Sequence, residues 1–176
     1  MPDDSTTTTT TTTARSIAGI WQLQHYLAFQ EAGGTFGDNK RVTEDTSFEL
    51  ENDDKTYEPE YLDRKVQPVY TMSRKTTFNF EVDMVLPGEI QAALYAAVDE
   101  LNVPVLYTQT LDVNPATGDA CATTALIAKQ AEGTLTMSPL KGEASNPIKL
   151  AGKVSLTSGW TYGTFDESTG EFTATA

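Results

Sequence analysis

The chain has 176 residues, of which 25 are acidic and 12 are basic, and its formal net charge is −13 at pH 7. This charge argues against ordinary nucleic-acid binding, in which Lys and Arg must replace the counterions of the phosphates. The hydrophobic share of 39% argues against global disorder, and the length suffices for one domain with a core. No apolar run is long enough to cross a membrane and no signal-peptide pattern is present, so no membrane contact is expected.

The acid excess has three interpretations that composition leaves open. It can serve solubility, suit a salty environment, or form a surface that a polyanion must pass without being held. The single cysteine, Cys121, has no partner for an internal disulfide, which fits a reducing compartment.

The N-terminal residues are polar and repetitive. Ser5 is followed by eight threonines, and a threonine run offers no alternation of apolar and polar positions that would drive burial. We predict that residues 1–15 form a flexible arm, which is either a merely frayed end or a segment used in assembly. Residues 16–176 are then predicted to form a single domain.

The stretch SIAGIWQLQHYLAFQEAGG fits two structures. Ile17, Ile20 and Leu27 have helical spacing, whereas Trp21 and Leu23 suit a strand. We favour the extended structure, followed by a glycine-rich loop.

An acidic region follows. Phe48 and Leu50 alternate with polar residues and predict a half-buried strand. From Glu44 to Asp63 there are nine acidic residues and one basic residue, Lys55. The irregular pattern predicts a long acidic loop over residues 44–70, and a compact domain seldom keeps such a loop without a use, such as reaching a neighbour.

The segment after this region alternates clearly. Phe78, Phe80 and Val82 predict the buried side of a strand. An apolar stripe then predicts a helix over about residues 88–102, roughly 20 Å long. Further strands are predicted in VPVLYTQTLDV, CATTALIAKQ, GTLTMSP and IKLAGKVSLTSGW, before a hairpin that turns at Gly170. The predicted fold class is mainly β: a β-sandwich or partly closed barrel with one flanking α-helix, a long loop and an extended N-terminal arm.

Few residues offer chemistry. His25 is the only histidine and no nucleophile motif accompanies it, which predicts a structural or surface role. Cys121 lacks the second cysteine of a usual zinc site, and the glycines form no nucleotide-binding pattern. Glu81 and Asp83 share one side of a strand as a possible acid/base pair, although a solvated strand face fits better. The stretch ELENDDKTYEPE lacks the EF-hand pattern, so neither a metal nor a cofactor is expected.

The order of elements resembles that of the major tail proteins, or tail tube proteins, of long-tailed bacteriophages, in particular the versions from viruses of actinobacteria. A polar arm and a long loop precede a strand that leads into a helix, and strands return after it. The resemblance is carried by EDTSFELENDD, YLDRKVQPVYTMSRKTTFNFEVDMVLPGEIQAALYAAVDELNVPV and SPLKGEASNPIKLAGKVSLTSGWTYGTFD.

The resemblance implies a β-sandwich whose copies form hexameric rings that stack into a hollow tube in the virion tail. Genomic DNA would pass through a channel that such proteins tend to keep acidic, without specific binding. The sheets of neighbouring subunits would join around the channel, while the loop and the arm reach neighbouring rings. Further implied partners are a tape measure protein and tail terminator or baseplate proteins, with assembly in the host cytoplasm.

Particular residues follow from this resemblance. Glu81 and Asp83 are the candidates for the channel lining, because both lie on the polar side of a long strand. The candidates for the inter-ring loop are Asp53, Asp54, Lys55, Tyr57, Glu58, Tyr61, Asp63 and Arg64.

No enzymatic activity is expected, but two other functions stay open. One is a different virion part, such as a capsid decoration or head–tail joining protein. The other is a small carboxylate-based hydrolase that would use Glu81 and Asp83.

Overall fold

The structure is a computed structural model in which residues 18–62, 65–140 and 146–175 are described. The strands are β1 (Leu23–Phe29), β2 (Lys40–Arg41), β3 (Asp45–Tyr57), β4 (Tyr70–Asp83), β5 (Val103–Leu111), β6 (Leu126–Met137), β7 (Lys149–Leu156), β8 (Thr161–Asp166) and β9 (Glu171–Ala174). One α-helix, α1 (Glu89–Ala96), lies between β4 and β5 in this part of the chain. The extended structure favoured for the first segment is confirmed by β1. The predicted arm, residues 1–15, lies outside the described residues.

The strands form one open antiparallel sheet that folds over itself. The strand order is β2-β1-β5-β6-β7-β4-β3, and β8 and β9 continue from β6. On one edge of β6, residues 126–130 pair with β8 and residues 133–137 pair with β7. The sheet therefore divides at β6 into a first layer (β2, β1, β5, β8, β9) and a second layer (β7, β4, β3). This arrangement confirms the predicted mainly β, sandwich-like class.

The core lies between the two layers because the strands alternate apolar and polar side chains. The predicted inward side of β4 is confirmed, since Phe78, Phe80 and Val82 are all buried. From the first layer Leu27 and Tyr107 face them, and the rings of Phe78 and Tyr107 stack with centroids 4.5 Å apart. Each such side chain contributes about 1.5–3 kcal/mol of burial free energy.

The helix α1 closes one end of this core. Its side chains Ile90 and Leu94 are buried in the main cluster. The amide of Gln91 donates a hydrogen bond to the backbone oxygen of Thr43, with the two atoms 3.3 Å apart. The helix is therefore fixed both by apolar contact and by a link to the β2–β3 connection.

The helix is shorter than the predicted one over residues 88–102. Leu101, which falls within the predicted range, is 86% exposed and lies after the end of the helix. Asp99 and Glu100 follow the helix, and negative charge at a helix C-terminus opposes the helix dipole. Asn102 has a positive φ of 58°, which turns the chain out of the helical direction and into β5.

The segment predicted as a long acidic loop over residues 44–70 is mostly strand. β3 and β4 form a long hairpin, and only residues 58–69 connect them. The acidic residues of β3 are compatible with strand pairing because each lies opposite a neutral or basic residue of β4, as Asp54 does opposite Arg74. Opposite charges across an antiparallel pair stabilise it, whereas like charges would not.

The C-terminal third differs from the prediction in one respect. The strands predicted in CATTALIAKQ and GTLTMSP are parts of one continuous strand, β6. The terminal hairpin is confirmed, with Gly170 at a positive φ of 71°. Phe165 of this hairpin packs against Tyr26 in a second apolar cluster, and Cys121 lies half-buried beside them. The side-chain amide of Asn39 donates to the backbone oxygen of Gly170, with the atoms 2.9 Å apart.

Candidate assembly surfaces

The β3–β4 hairpin extends beyond the body of the protein. Before Thr77, β4 does not pair with β7, and in the described part of the chain β3 and β4 pair there only with each other. We call residues 52–57 and 70–76 the hairpin extension, and residues 58–69 the hairpin tip. At about 3.3 Å per residue, the extension projects roughly 20 Å from the sandwich.

Polar contacts hold the extension together without a core. Arg74 donates two hydrogen bonds to the carboxylate of Asp54, from Nε at 2.6 Å and from a terminal nitrogen at 2.8 Å. These bonds hold the pKa of Asp54 below its usual value. The hydroxyl of Thr76 donates to the side-chain oxygen of Asn52 over 2.7 Å. A two-stranded ribbon is marginal in water, so such pairs define its register.

The tip is closed by one side chain. The Gln67 amide oxygen accepts from the backbone nitrogen of Tyr61 at 2.7 Å, and the Gln67 amide nitrogen donates to the backbone oxygen of Tyr61 at 2.9 Å. This reciprocal pair fixes the width of the tip while the side chains around it point outward.

The extension and tip carry exposed apolar side chains. These are Tyr57, Tyr61, Leu62, Val66, Val69, Tyr70 and Met72, with Leu62 and Val66 almost entirely in solvent. An isolated exposed apolar residue is ordinary, but a group of this size on a projecting element is typical of a contact surface.

The structure brings most of the predicted inter-ring residues together. Asp53, Asp54, Lys55 and Tyr57 lie on the β3 side of the hairpin. Glu58 and Tyr61 lie in the tip, and Asp63 and Arg64 lie outside the described residues. Sequence reasoning missed Leu62, Val66, Val69, Tyr70 and Met72. Val69, Tyr70 and Met72 lie in the stretch VYTMSRK, which runs directly into the recognised strand, whereas no sequence pattern indicates Leu62 and Val66.

The second layer has an outward polar face, formed by the outward side chains of β3, β4 and β7 and the end of β6. Glu81 lies opposite Ser47 on β3 and Ala151 on β7. This polar face forms a shallow trough of ≈ 720 Å³. Among the described residues its carboxylates are Glu49, Glu51, Asp53, Glu81 and Asp83, and its ammonium groups are Lys55, Lys75, Lys149 and Lys153. The face is thus nearly balanced in charge, and most of the net charge of −13 lies elsewhere.

The two candidate channel residues have different surroundings. Glu81 forms an ion pair with Lys149 and accepts a hydrogen bond from the hydroxyl of Thr46 at 3.1 Å. Asp83 has one buried carboxylate oxygen that finds no hydrogen-bond partner among the described residues. The structure thus places both residues on β4 at the polar face, but only Glu81 is neutralised by an ion pair.

His25 lies inside the sandwich and is 3% exposed. Its Nδ1 is 2.8 Å from the hydroxyl oxygen of Tyr107, and these two atoms share a hydrogen bond. Its Nε2 is buried without a hydrogen-bond partner among the described residues. Burial first, and then the positive charge of Lys129, lower the pKa of His25 to about 4. The ring centroid of His25 lies 4.4 Å from that of Phe48 and 4.7 Å from that of Phe78, so His25 packs against the second layer.

The sheet remains open between β1 and β3. A cleft of ≈ 550 Å³ lies there, and Trp21, Leu23 and Phe48 line it together with His25. Trp21 is 74% exposed at its rim. Open strand edges of this kind can pair with another chain.

Two classes of site are absent from the described part of the chain. Residues 18–62, 65–140 and 146–175 contain no group of three or more potential metal ligands. In the same ranges no helix has the length and apolar character needed to span a membrane.

No protein-family model and no curated protein sequence matches the chain. The solved structures that are similar to it include the following two. A chain in the tail of an empty GTA particle, refined with helical and C6 symmetry, has a TM-score of 0.56 at 8% identity, with 83% of this chain and 98% of that chain covered. A chain in the tube terminating cap of the anti-feeding prophage has a TM-score of 0.50 at 13% identity, with 86% and 93% covered. The protein therefore shares its fold with a subunit of each of these assemblies.

Proposed function

We propose that the chain is a structural subunit of a phage-type tail tube in the virion, and not an enzyme. Six copies close a ring, rings stack into a tube, and the channel conducts genomic DNA into the host. The observation that carries this proposal is the hairpin extension with its exposed apolar tip, which has no role within one copy. The fold shared with a subunit of a C6-symmetric tail supports six copies per ring.

Ring closure needs one contact that joins two different surfaces of neighbouring copies, because such heterologous contacts close into rings. The open edge of β3 and the cleft beside β1 supply two different surfaces. Pairing at a strand edge would join the sheets of neighbouring copies around the channel.

Stacking is assigned to the hairpin. Its extension projects about 20 Å, far enough to contact a copy in the next ring. The contact residues proposed are the exposed apolar side chains of the tip together with Asp53, Asp54, Lys55, Tyr57, Glu58 and Tyr61, and also Asp63 and Arg64. A tape measure protein inside the tube and terminator or baseplate proteins at its ends would be the other partners.

The channel lining is assigned to the polar face, including Glu81 and Asp83. A wall that carried unpaired lysines would hold DNA, because each phosphate contact releases counterions. The ion pair with Glu81 neutralises one lysine of this face, Lys149. The three other lysines of the face are outnumbered by its four other carboxylates, so DNA meets a wall with little net attraction.

The test is the assembly of the purified chain. Negative-stain electron microscopy of concentrated protein is expected to show rings or tubes of uniform diameter. A matched variant in which residues 58–69 are replaced by a short glycine-containing turn is expected to fold but to form no tubes. A wild-type chain that stays monomeric at high concentration would refute the proposal.

A second candidate is a protein that ends or joins the tube. It is favoured by the similarity to the chain in a tube terminating cap, and it corresponds to the head–tail joining role. Single rings that never stack, at any protein concentration, would select this candidate over the tube subunit.

A further inference from the structure

A third cavity shares Leu23 with the cleft beside β1 but is otherwise lined by different residues. Its volume is ≈ 250 Å³, and its described lining residues come from β1, β5, β6 and β8. Leu23, Leu111, Ile127 and Tyr162 give it mostly apolar walls. It opens on the inward side of the first layer, where β3 and β4 supply none of these residues.

Two polar side chains lie in this apolar setting. Gln109 and Lys129 are directly opposite each other on β5 and β6. Gln109 is 9% exposed, and its amide oxygen is buried without a hydrogen-bond partner. A half-turn of the amide about its terminal bond brings the NH₂ group to the same place, so Gln109 can either accept or donate there. A buried amide without a partner destabilises the fold, and a bound polar group would remove that cost.

Lys129 carries a cation that no carboxylate neutralises within the described residues. Its Nζ lies 4.3 Å from the ring centroid of Trp160. This cation–π contact compensates part of the positive charge. Partial burial lowers the pKa of Lys129. The lost hydration of the ammonium group is therefore not fully replaced by contacts within the protein.

We propose that this cavity binds a carboxylate carried on an apolar group. The carboxylate would lie on the Lys129 ammonium and the Gln109 amide, and the apolar part would lie between Leu23, Ile127 and Tyr162. Two sources share this chemistry: a free small carboxylic acid, and an acidic side chain with its methylene groups from a second copy. Only the second source rests on the proposed function.

The probe is hexanoate, with hexanol as a control of the same chain length and no charge. Hexanoate added to wild-type protein at pH 7.5 is expected to shift the indole N–H resonance of Trp160 saturably and to leave that of Trp21 in place. Hexanol is expected to bind at least tenfold more weakly, because it lacks the charge-assisted contact. Equal affinity for the two probes, or no shift at Trp160, would overturn the proposal.

Substitutions sharpen the test. Lys129→Met keeps the apolar stem and is expected to weaken hexanoate at least tenfold, whereas Lys153→Met, which removes an exposed lysine from the polar face, is expected to have no effect. Equal weakening by both would mean that the probe responds only to overall charge. The wild-type comparison of hexanoate with hexanol decides the matter if Lys129→Met does not fold.

Assembly then identifies the source. If hexanoate slows ring or tube formation by the wild type and hexanol does not, a carboxylate of a second copy occupies the cavity. If assembly proceeds unchanged while hexanoate binds, the ligand is a free carboxylic acid. A chain that binds hexanoate but never assembles would refute the proposed function and leave the binding site standing.

Discussion

His25 is held as a neutral imidazole between the two layers. Its Nδ1 shares a hydrogen bond with the Tyr107 hydroxyl, its Nε2 has no hydrogen-bond partner among the described residues, and the ring contacts Phe48 and Phe78. A proton on this ring would place an uncompensated charge in the core, close to Lys129. The sandwich is therefore sensitive to acid at a single residue.

The acid sensitivity has a defined direction. The folded pKa of His25 is about 4, against an ordinary value of 6.5. Above pH 6.5 neither state binds the proton, and between 6.5 and 4 only the unfolded state does. The free energy of unfolding should therefore fall as the pH decreases through this window, by about 3 kcal/mol in total from this group. Urea unfolding at pH 7.5, 5.5 and 4.5 measures this loss.

The matched variant is His25→Gln, which does not titrate. Its unfolding free energy is expected to be lower at pH 7.5, because the ring contacts are lost, but to vary less between pH 7.5 and 4.5. Parallel pH profiles for wild type and variant would assign the acid sensitivity to other groups.

Glu81 and Asp83 allow a test of the channel wall. Replacing both with Lys removes two carboxylates from the polar face and adds two ammonium groups, which would attract phosphate. Tubes or particles that carry Glu81→Lys and Asp83→Lys are expected to release DNA more slowly than the wild type, most clearly at low salt. A control that carries the same charge change on β9 and its turn, Glu167→Lys and Glu171→Lys, should not retard release. Unchanged ejection kinetics would place the channel elsewhere.

The hairpin extension shows how an element can be stable yet depend on a partner. Paired charges and the Gln67 bridge fix its register, but nothing apolar covers its outer side chains. Its strands were only half predictable. Alternation at Phe78, Phe80 and Val82 indicates a strand because one side is buried, whereas the same strand upstream is exposed on both sides and has no apolar period.

Two changes at the tip test the role of the element. Leu62→Asp with Val66→Asp places charge where solvent already surrounds the side chains, so the free energy of unfolding should change by less than about 0.5 kcal/mol. Stacking of rings should be lost, because the acidic side chains would be desolvated in the contact. Electron microscopy and urea unfolding measure the two effects. The control pair Thr157→Asp and Thr169→Asp adds the same charge elsewhere and should leave stacking intact, and a tip variant that still stacks would remove the tip from the contact.

At the scale of the whole molecule, two features combine: a high negative charge and a sheet that divides at β6. The sandwich class was predictable from strand count and alternation. The division at β6 was not predictable, because no pattern in the sequence of β6 indicates that residues 126–130 and 133–137 pair with different strands. The cavity at Gln109 and Lys129 was equally hidden, since those residues meet only through the pairing of β5 and β6.

The net charge predicts how assembly responds to salt. Copies of charge −13 repel one another, and the range of that repulsion falls from about 30 Å at 0.01 M salt to about 8 Å at 0.15 M. Light scattering is expected to show faster ring and tube formation as NaCl rises over this interval. Slower formation at higher salt would indicate that attractive ion pairs, rather than repulsion, dominate the contacts.

The length of the hairpin extension can change only in even steps. Neighbouring side chains in a strand point to opposite sides, so the loss of one residue from each strand would reverse the side on which Asp54 and Arg74 lie. The loss of two residues from each strand would keep that orientation and shorten the projection by about 7 Å. Related chains with a different spacing between successive rings should therefore carry insertions or deletions of paired residues in both strands.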